Sequence, residues 1–257
     1  MATALITGAS AGLGLEFAWQ LATARHDLVL VARNTERLEV LAADLRSVAG
    51  VRVEVLPADL ATQQGQDDVI ARLTQDERPI GLLVNNAGYT LQETFLDSTR
   101  EAQQAALAVM VQAVMVLSHT AAQHMTQRGR GAILNVSSVA AFLTGPYSAH
   151  KAWVRTFTEG LAVELHGTGV TATVLCPGLV HTEFHERAHL DYTAVPEYAW
   201  LNAADVVRAA LLDVRRGVVI STPSLRYRAA SGLLRALPRF IVRNLRGSDA
   251  RQKPTPQ

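Results

Sequence analysis

Seven short apolar runs punctuate the chain, and between them apolar side chains recur every three to four residues. The runs cover residues 2–7, 28–32, 51–56, 80–85, 132–136, 170–175 and 218–221. Several are continuously apolar rather than alternating, the pattern of strands buried on both faces. The intervening stretches, 13–25, 36–48, 64–77, 97–128, 148–166 and 203–215, carry the spacing of amphipathic helices. Strand–helix–strand repetition predicts a parallel sheet of about seven strands, doubly wound, with helices on both faces: one α/β domain over residues 1–222.

In such sheets ligands bind beyond the carboxyl ends of the strands. Polar residues and glycines collect there in this chain: Ala32-Arg33, Ala58-Asp59-Leu60, Asn85-Asn86-Ala87-Gly88, Ser137-Ser138 and Cys176-Pro177-Gly178. The first strand runs into Thr7-Gly8-Ala9-Ser10-Ala11-Gly12-Leu13-Gly14. Glycines allow the backbone to approach a ligand where a Cβ would collide. The helix beginning near Leu13 aims free N–H groups and its positive dipole end at the turn, which suits a dinucleotide pyrophosphate and a Rossmann-type fold. Taken alone, three glycines also fit an ordinary strand–helix turn.

With these strand ends assembled, the chain resembles the short-chain dehydrogenase/reductase family over about residues 1–222. The resemblance rests on Thr7-Gly8-x-x-x-Gly12-x-Gly14, Asp59, Asn85-Asn86-Ala87-Gly88, Ser138, Tyr147-x-x-x-Lys151, and Pro177-Gly178 with Thr182, in the family's order. It implies hydride transfer between a nicotinamide cofactor and a carbonyl or alcohol. Tyr147 is then the acid/base, Lys151 its electrostatic partner and a holder of the nicotinamide ribose, and Ser138 the hydroxyl that orients the substrate oxygen. Chemistry agrees: a phenol near pKa ~10 is a poor acid at neutral pH until a neighbouring ammonium favours its phenolate. Four residues apart on one helix, Tyr147 and Lys151 share a face. Ser137 is the alternative to Ser138, though the serine followed by Val-Ala-Ala is the one that matches. The resemblance further places Gly8, Ser10, Gly12, Leu13 and Gly14 under the pyrophosphate, Asp59 and Leu60 at adenine, Asn86 and Gly88 along the adenosine side, and Val180 and Thr182 at the nicotinamide amide.

Two positions depart from the family pattern. Only nine residues separate Ser138 from Tyr147, so the wall over 139–146 is trimmed. Where many members carry an asparagine that orders a water beside the lysine, this chain aligns Met110, whose thioether is a weak acceptor. At the end of the second strand, where NAD-preferring members place an acid, stand Ala32 and Arg33. A guanidinium there suits the 2′-phosphate of NADP(H), with NAD(H) as the second choice.

Composition narrows the picture. Hydrophobic residues make up 49% and charged residues 18% of 257, enough for a buried core. No secretory signal and no membrane span is expected, and a lone cysteine, Cys176, excludes an internal disulfide, so the expected location is the cytoplasm. Net charge is +1, but the segment from Pro223 onward carries +7 and the remainder −6, which argues against nucleic acid as a partner. Residues 223–247 read as a basic amphipathic extension broken at Pro238. It could dock on its own body, on another subunit or on an anionic membrane surface. Residues 248–257 read as a disordered tail. A homodimer or homotetramer is expected from the resemblance.

His185-Glu186-Arg187-Ala188-His189 spells a zinc-protease helix motif, yet no third ligand follows in the extended pattern, so no metal is expected. The region about 183–202 reads instead as a substrate lid. It holds Phe184, Tyr192, Tyr198 and Trp200, four of the chain's fourteen aromatics. They predict an apolar pocket for a small hydrophobic carbonyl or alcohol, or else packing of the lid on the core. A rival reading is a nucleotide-binding sensor or assembly protein of weak catalytic power on the same fold.

Overall fold

The computed structural model describes residues 3–184 and 195–244. Seven parallel strands form one sheet in the order β3-β2-β1-β4-β5-β6-β7: β1 (Thr3–Thr7), β2 (Asp27–Ala32), β3 (Val53–Pro57), β4 (Ile80–Asn85), β5 (Gly131–Val136), β6 (Val170–Leu175) and the short β7 (Ile220–Ser221). Strand order reverses between β1 and β4. Helices α1 (Gly12–Thr23), α2 (Thr35–Ala49) and α7 (Ala203–Arg215) bury Phe17, Leu21, Leu38, Leu45 and Val207 on one face. On the other lie α3 (Gln63–Leu73), α4 (Arg100–Leu107), α5 (Ala113–Gln127) and α6 (Pro146–Glu164), burying Val69, Leu73, Leu117 and Met125. The expected doubly wound α/β architecture is therefore present.

Helix starts follow their capping residues. Asn34, Thr62, Thr99 and Asn202 each accept a backbone N–H in the first turn of α2, α3, α4 and α7. Thr99 explains why the long helix begins at Arg100 and not at residue 97. Between α4 and α5 the chain makes a π turn, Ala108–Gln112, with Met110 buried inside it. One extra residue per turn shifts register without breaking the apolar pattern, so the sequence shows a single helix there.

The run from Arg100 to Gln127 is 28 residues long and, by length and composition, apolar enough to cross a membrane. Its apolar face, through Ala106, Val109, Ala113, Leu117 and Ala121, is committed to the sheet.

A buried polar ladder fixes the floor of the site. The Asn85 amide donates to Ser118 Oγ (3.0 Å) and Asn135 Oδ1 (2.9 Å), and the Asn135 amide donates to Thr158 Oγ1 (2.9 Å). These bonds tie β4, α5, β5 and α6 together where polar groups would otherwise be costly to bury. Beyond β7 come α8 (Leu225–Ala236) and α9 (Arg239–Asn244), separated at Leu237 and Pro238 as the proline predicts.

Candidate active site

The glycine turn at the end of β1 is shaped by contacts that exclude side chains. Gly8 has φ +67°, and a Cβ there would come within 2.9 Å of Ala87 Cα. A Cβ on Gly14 would approach the Gly8 carbonyl oxygen to 2.1 Å, which locks α1 onto the turn. Gly12 has φ +55° and lies beneath Thr182. The N-terminus of α1 has no side-chain cap, unlike those of α2, α3, α4 and α7. Its first N–H groups therefore face outward as an anion cradle, and the turn fits a dinucleotide pyrophosphate. Ser10 and Leu13 are half-buried along this turn, and Leu13 packs on the core.

Asn86 is half-buried beside the glycine turn. Its amide donates to the Thr7 and Gly8 carbonyls at 3.0 and 3.3 Å, while Thr7 Oγ1 accepts from the Asn86 and Ala87 backbone N–H groups. Asn86 thus fastens β4 to the glycine turn. Gly88 stands beside Lys151: a Cβ on it would lie 3.2 Å from Lys151 Nζ and 3.6 Å from Met110 Cγ.

Lys151 is buried, and its ammonium donates to the Val136 carbonyl at 2.9 Å. Burial lowers its pKa to about 8. Nζ lies 5.7 Å from the centroid of the Tyr147 ring, one turn earlier on α6. Pro146 at the first position of α6 and Gly145 (φ +124°) before it set the entry that places Tyr147 at the helix start. The two serines separate cleanly. Ser137 is buried and donates to the Lys151 carbonyl at 2.7 Å. Ser138, half-buried at the strand end, accepts from the Ala140 N–H at 3.1 Å and starts the 3₁₀ turn Val139–Phe142 that fills the trimmed wall.

Met110 is buried in the π turn, beside Gly88 and Lys151. With Tyr147, His150, Thr90 and Phe95 it lines a small cavity. His150 Nδ1 is buried there without a hydrogen-bond partner, and burial, then the Lys151 charge, lower its pKa. The ring of Phe184 lies 6.0 Å from that of Tyr147. Trp200 stacks on His181 at 4.7 Å, and Tyr198 is exposed. Tyr192 and the His185–His189 motif lie outside the described residues. Among the described residues no three His, Cys, Asp or Glu side chains cluster as metal ligands.

At the carboxyl ends of β2 and β3, Arg33 is exposed just past β2, and Asp59 follows β3. Asp59 Oδ1 accepts from the Ala61 N–H at 3.0 Å, and the Leu60 carbonyl accepts from the buried Gln66 amide. Tyr89, which sequence reasoning missed, feels both Arg33 and Asp59. Burial raises its pKa, Arg33 pulls it down and Asp59 pushes it up. Arg37 was also missed: in the first turn of α2, it pairs with Glu183 at 3.2 Å. Glu183 follows Thr182, which lies over Gly12, so this ion pair crosses from the β2 side to the glycine-turn side. Val180 is buried and bridges to Leu201.

Comparison with known proteins fits this arrangement. The sequence model of the family described as short chain dehydrogenase matches residues 2–193. A short-chain dehydrogenase from Sphingobium yanoikuyae, solved in complex with NADPH, is similar with a TM-score of 0.83 and 36% identity, over 93% of this chain and 96% of that one. The bulky-bulky ketone specific alcohol dehydrogenase from Comamonas testosteroni gives a TM-score of 0.79 and 31% identity over the same shares. Gluconate 5-dehydrogenase from Gluconobacter oxydans is 32% identical over 221 residues, 82% of this chain and 86% of that protein.

Proposed function

The chain belongs to the short-chain dehydrogenase/reductase family, and on that premise we propose that it transfers hydride between NADP(H) and a hydrophobic ketone or aldehyde, or the corresponding alcohol. The observation that carries this reading is the convergence of Tyr147 and Lys151 at the end of β5, with the Lys151 ammonium 5.7 Å from the phenol ring. Held over the glycine turn of Gly8, Gly12 and Gly14, a nicotinamide cofactor would supply or take up the hydride. Tyr147 gives the substrate oxygen its proton on reduction and removes it on oxidation. The Lys151 charge stabilises the phenolate left behind, which brings a pKa of ~10 toward the working range. Ser138 donates to the substrate oxygen and holds it in line with Tyr147. Ser137, committed to the Lys151 carbonyl, serves the helix instead.

Preference for NADP(H) rests on Arg33, and Arg37 adds a second guanidinium four residues on. A planar guanidinium matches a phosphate in a bidentate geometry. The NADPH held by the Sphingobium yanoikuyae neighbour is in keeping with this. Phe184 beside Tyr147 favours an apolar substrate, as does the bulky ketone named for the Comamonas testosteroni enzyme.

One observation favours the rival, a weakly catalytic NADP(H)-binding protein: buried Met110 puts a thioether beside Lys151. NADPH and NADH oxidation over a panel of aliphatic and aromatic ketones and aldehydes separates the two. The proposal expects turnover of hydrophobic carbonyls with kcat/KM at least about tenfold higher for NADPH. Tight NADPH binding without turnover of any carbonyl favours the rival.

A further inference from the structure

The C-terminal helix α8 is built into both walls of the site. On one wall, Phe142 of the 3₁₀ turn after Ser138 is held between two guanidinium groups, Arg155 of α6 at 5.0 Å and Arg235 of α8 at 4.8 Å from the ring centroid. On the other, the Tyr227 hydroxyl accepts from the Leu179 N–H at 3.2 Å and donates to the Ala199 carbonyl at 2.8 Å. Leu179 lies just after β6 and Ala199 just before α7. They are the two roots of the segment that carries Thr182 and Phe184, joined by the Val180–Leu201 bridge and by bonds from Leu201 N–H to Leu179 and from His181 N–H to Leu201. Arg226 adds a bond to the Tyr198 carbonyl at 2.6 Å. The Tyr227 ring lies so close to Gly178 that a Cβ there would meet it at 2.1 Å, so the glycine of Pro177-Gly178 is the seat of this phenol.

We infer that Tyr227 is a positioning residue for the substrate side of the site, acting through the roots at Leu179 and Ala199. Its hydroxyl fixes their separation. The roots fix Thr182, Thr182 Oγ1 accepts from the Phe184 N–H at 3.4 Å, and Phe184 presents its ring to Tyr147. The residue touches neither the reacting atoms nor the glycine turn, so its loss acts first on how a bulky substrate is held, and on the cofactor only through Thr182, which lies over Gly12. The basic C-terminal segment thereby has a role inside its own subunit.

The inference rests on the oxidoreductase reading for its kinetic consequence but not for its structural one, and the experiment keeps them apart. Tyr227→Phe retains the ring over Gly178 and removes both hydroxyl bonds. Loss of bonds of this kind corresponds to about a fivefold to tenfold effect each. Amide hydrogen exchange should speed up about tenfold at Leu179, with smaller increases at His181 and Leu201. KM for a bulky hydrophobic ketone should rise about fivefold to tenfold, with kcat within about twofold and a smaller rise, within about threefold, in the NADPH dissociation constant. Gly178→Ala, which displaces the ring, should reproduce both effects. Unchanged exchange at Leu179 overturns the inference, as does faster exchange with an unchanged KM. Should neither protein reduce any carbonyl, the oxidoreductase proposal fails, and the exchange at Leu179 alone decides the inference.

Discussion

The Lys151 ammonium is held at 2.9 Å by the Val136 carbonyl, the last residue of the strand that delivers Ser138. A charged group buried this deeply opposes folding at neutral pH. The folded pKa is about 8, against an ordinary value of 10.5. Between those values the unfolded chain holds a proton the folded chain has lost, so stability rises with pH across that window. Below about pH 8 the burial costs the wild type about 3 kcal/mol, and above about 10.5 nothing. Chemical denaturation of wild type and Lys151→Met at pH 7 and pH 10.5, without cofactor, should show wild type gaining on the variant by roughly that amount. An unchanged difference would mean that the lysine is solvated.

Arg33 should govern cofactor choice. Arg33→Ala is expected to raise the NADPH dissociation constant about 10- to 100-fold, the loss of one or two charge-assisted hydrogen bonds, and to leave NADH within about twofold. Arg37→Gln should have a smaller effect in the same sense, because Arg37 already has Glu183 as a partner. Fluorescence titration with each nucleotide reads both.

Two glycines should respond oppositely to the same change. Gly14→Ala drives a Cβ to 2.1 Å from the Gly8 carbonyl, against backbone that cannot yield cheaply. It should cost about 3 kcal/mol, roughly 10 °C in Tm, and abolish NADPH binding. Gly160→Ala on α6 meets nothing within 4 Å and should stabilise by up to about 1 kcal/mol. Thermal melts of both variants check the pair.

Cys176 should be inert. It is fully buried at the end of β6, and burial pushes its pKa up to about 11. A thiol of that kind offers no thiolate to reagents at pH 8. Native protein should resist a chromogenic disulfide reagent at that pH and react with one equivalent after denaturation.

The strands are legible in the sequence because each is a short apolar run ended by glycine or polar residues, and the site because those endings carry the chemistry. Tyr147 and Lys151 can be paired from their spacing alone. Other features depend on contacts that spacing does not encode. Tyr227 meets Leu179 across 48 residues, and Arg37 meets Glu183 across 146. The π turn at Met110 leaves the apolar pattern intact while rotating α5 relative to α4. Asn86 and Gly88 read as ligand contacts because they sit in a strand-end motif. What spacing does not encode is that the Asn86 amide also fastens the glycine turn and that Gly88 makes room for Lys151. The apolar helix of residues 100–127 reads as two-faced, and its apolar face packs in the core.

Tyr147→Phe tests the central claim most directly. The variant keeps the ring that faces Phe184 and Lys151 and loses only the proton-bearing hydroxyl. On the best carbonyl from the panel, kcat with NADPH should fall by about 10²- to 10⁴-fold. The NADPH dissociation constant should stay within about threefold of wild type. A variant that reduces the same carbonyl at close to the wild-type rate would contradict the assignment of Tyr147 as the acid/base, and with it this account of the site.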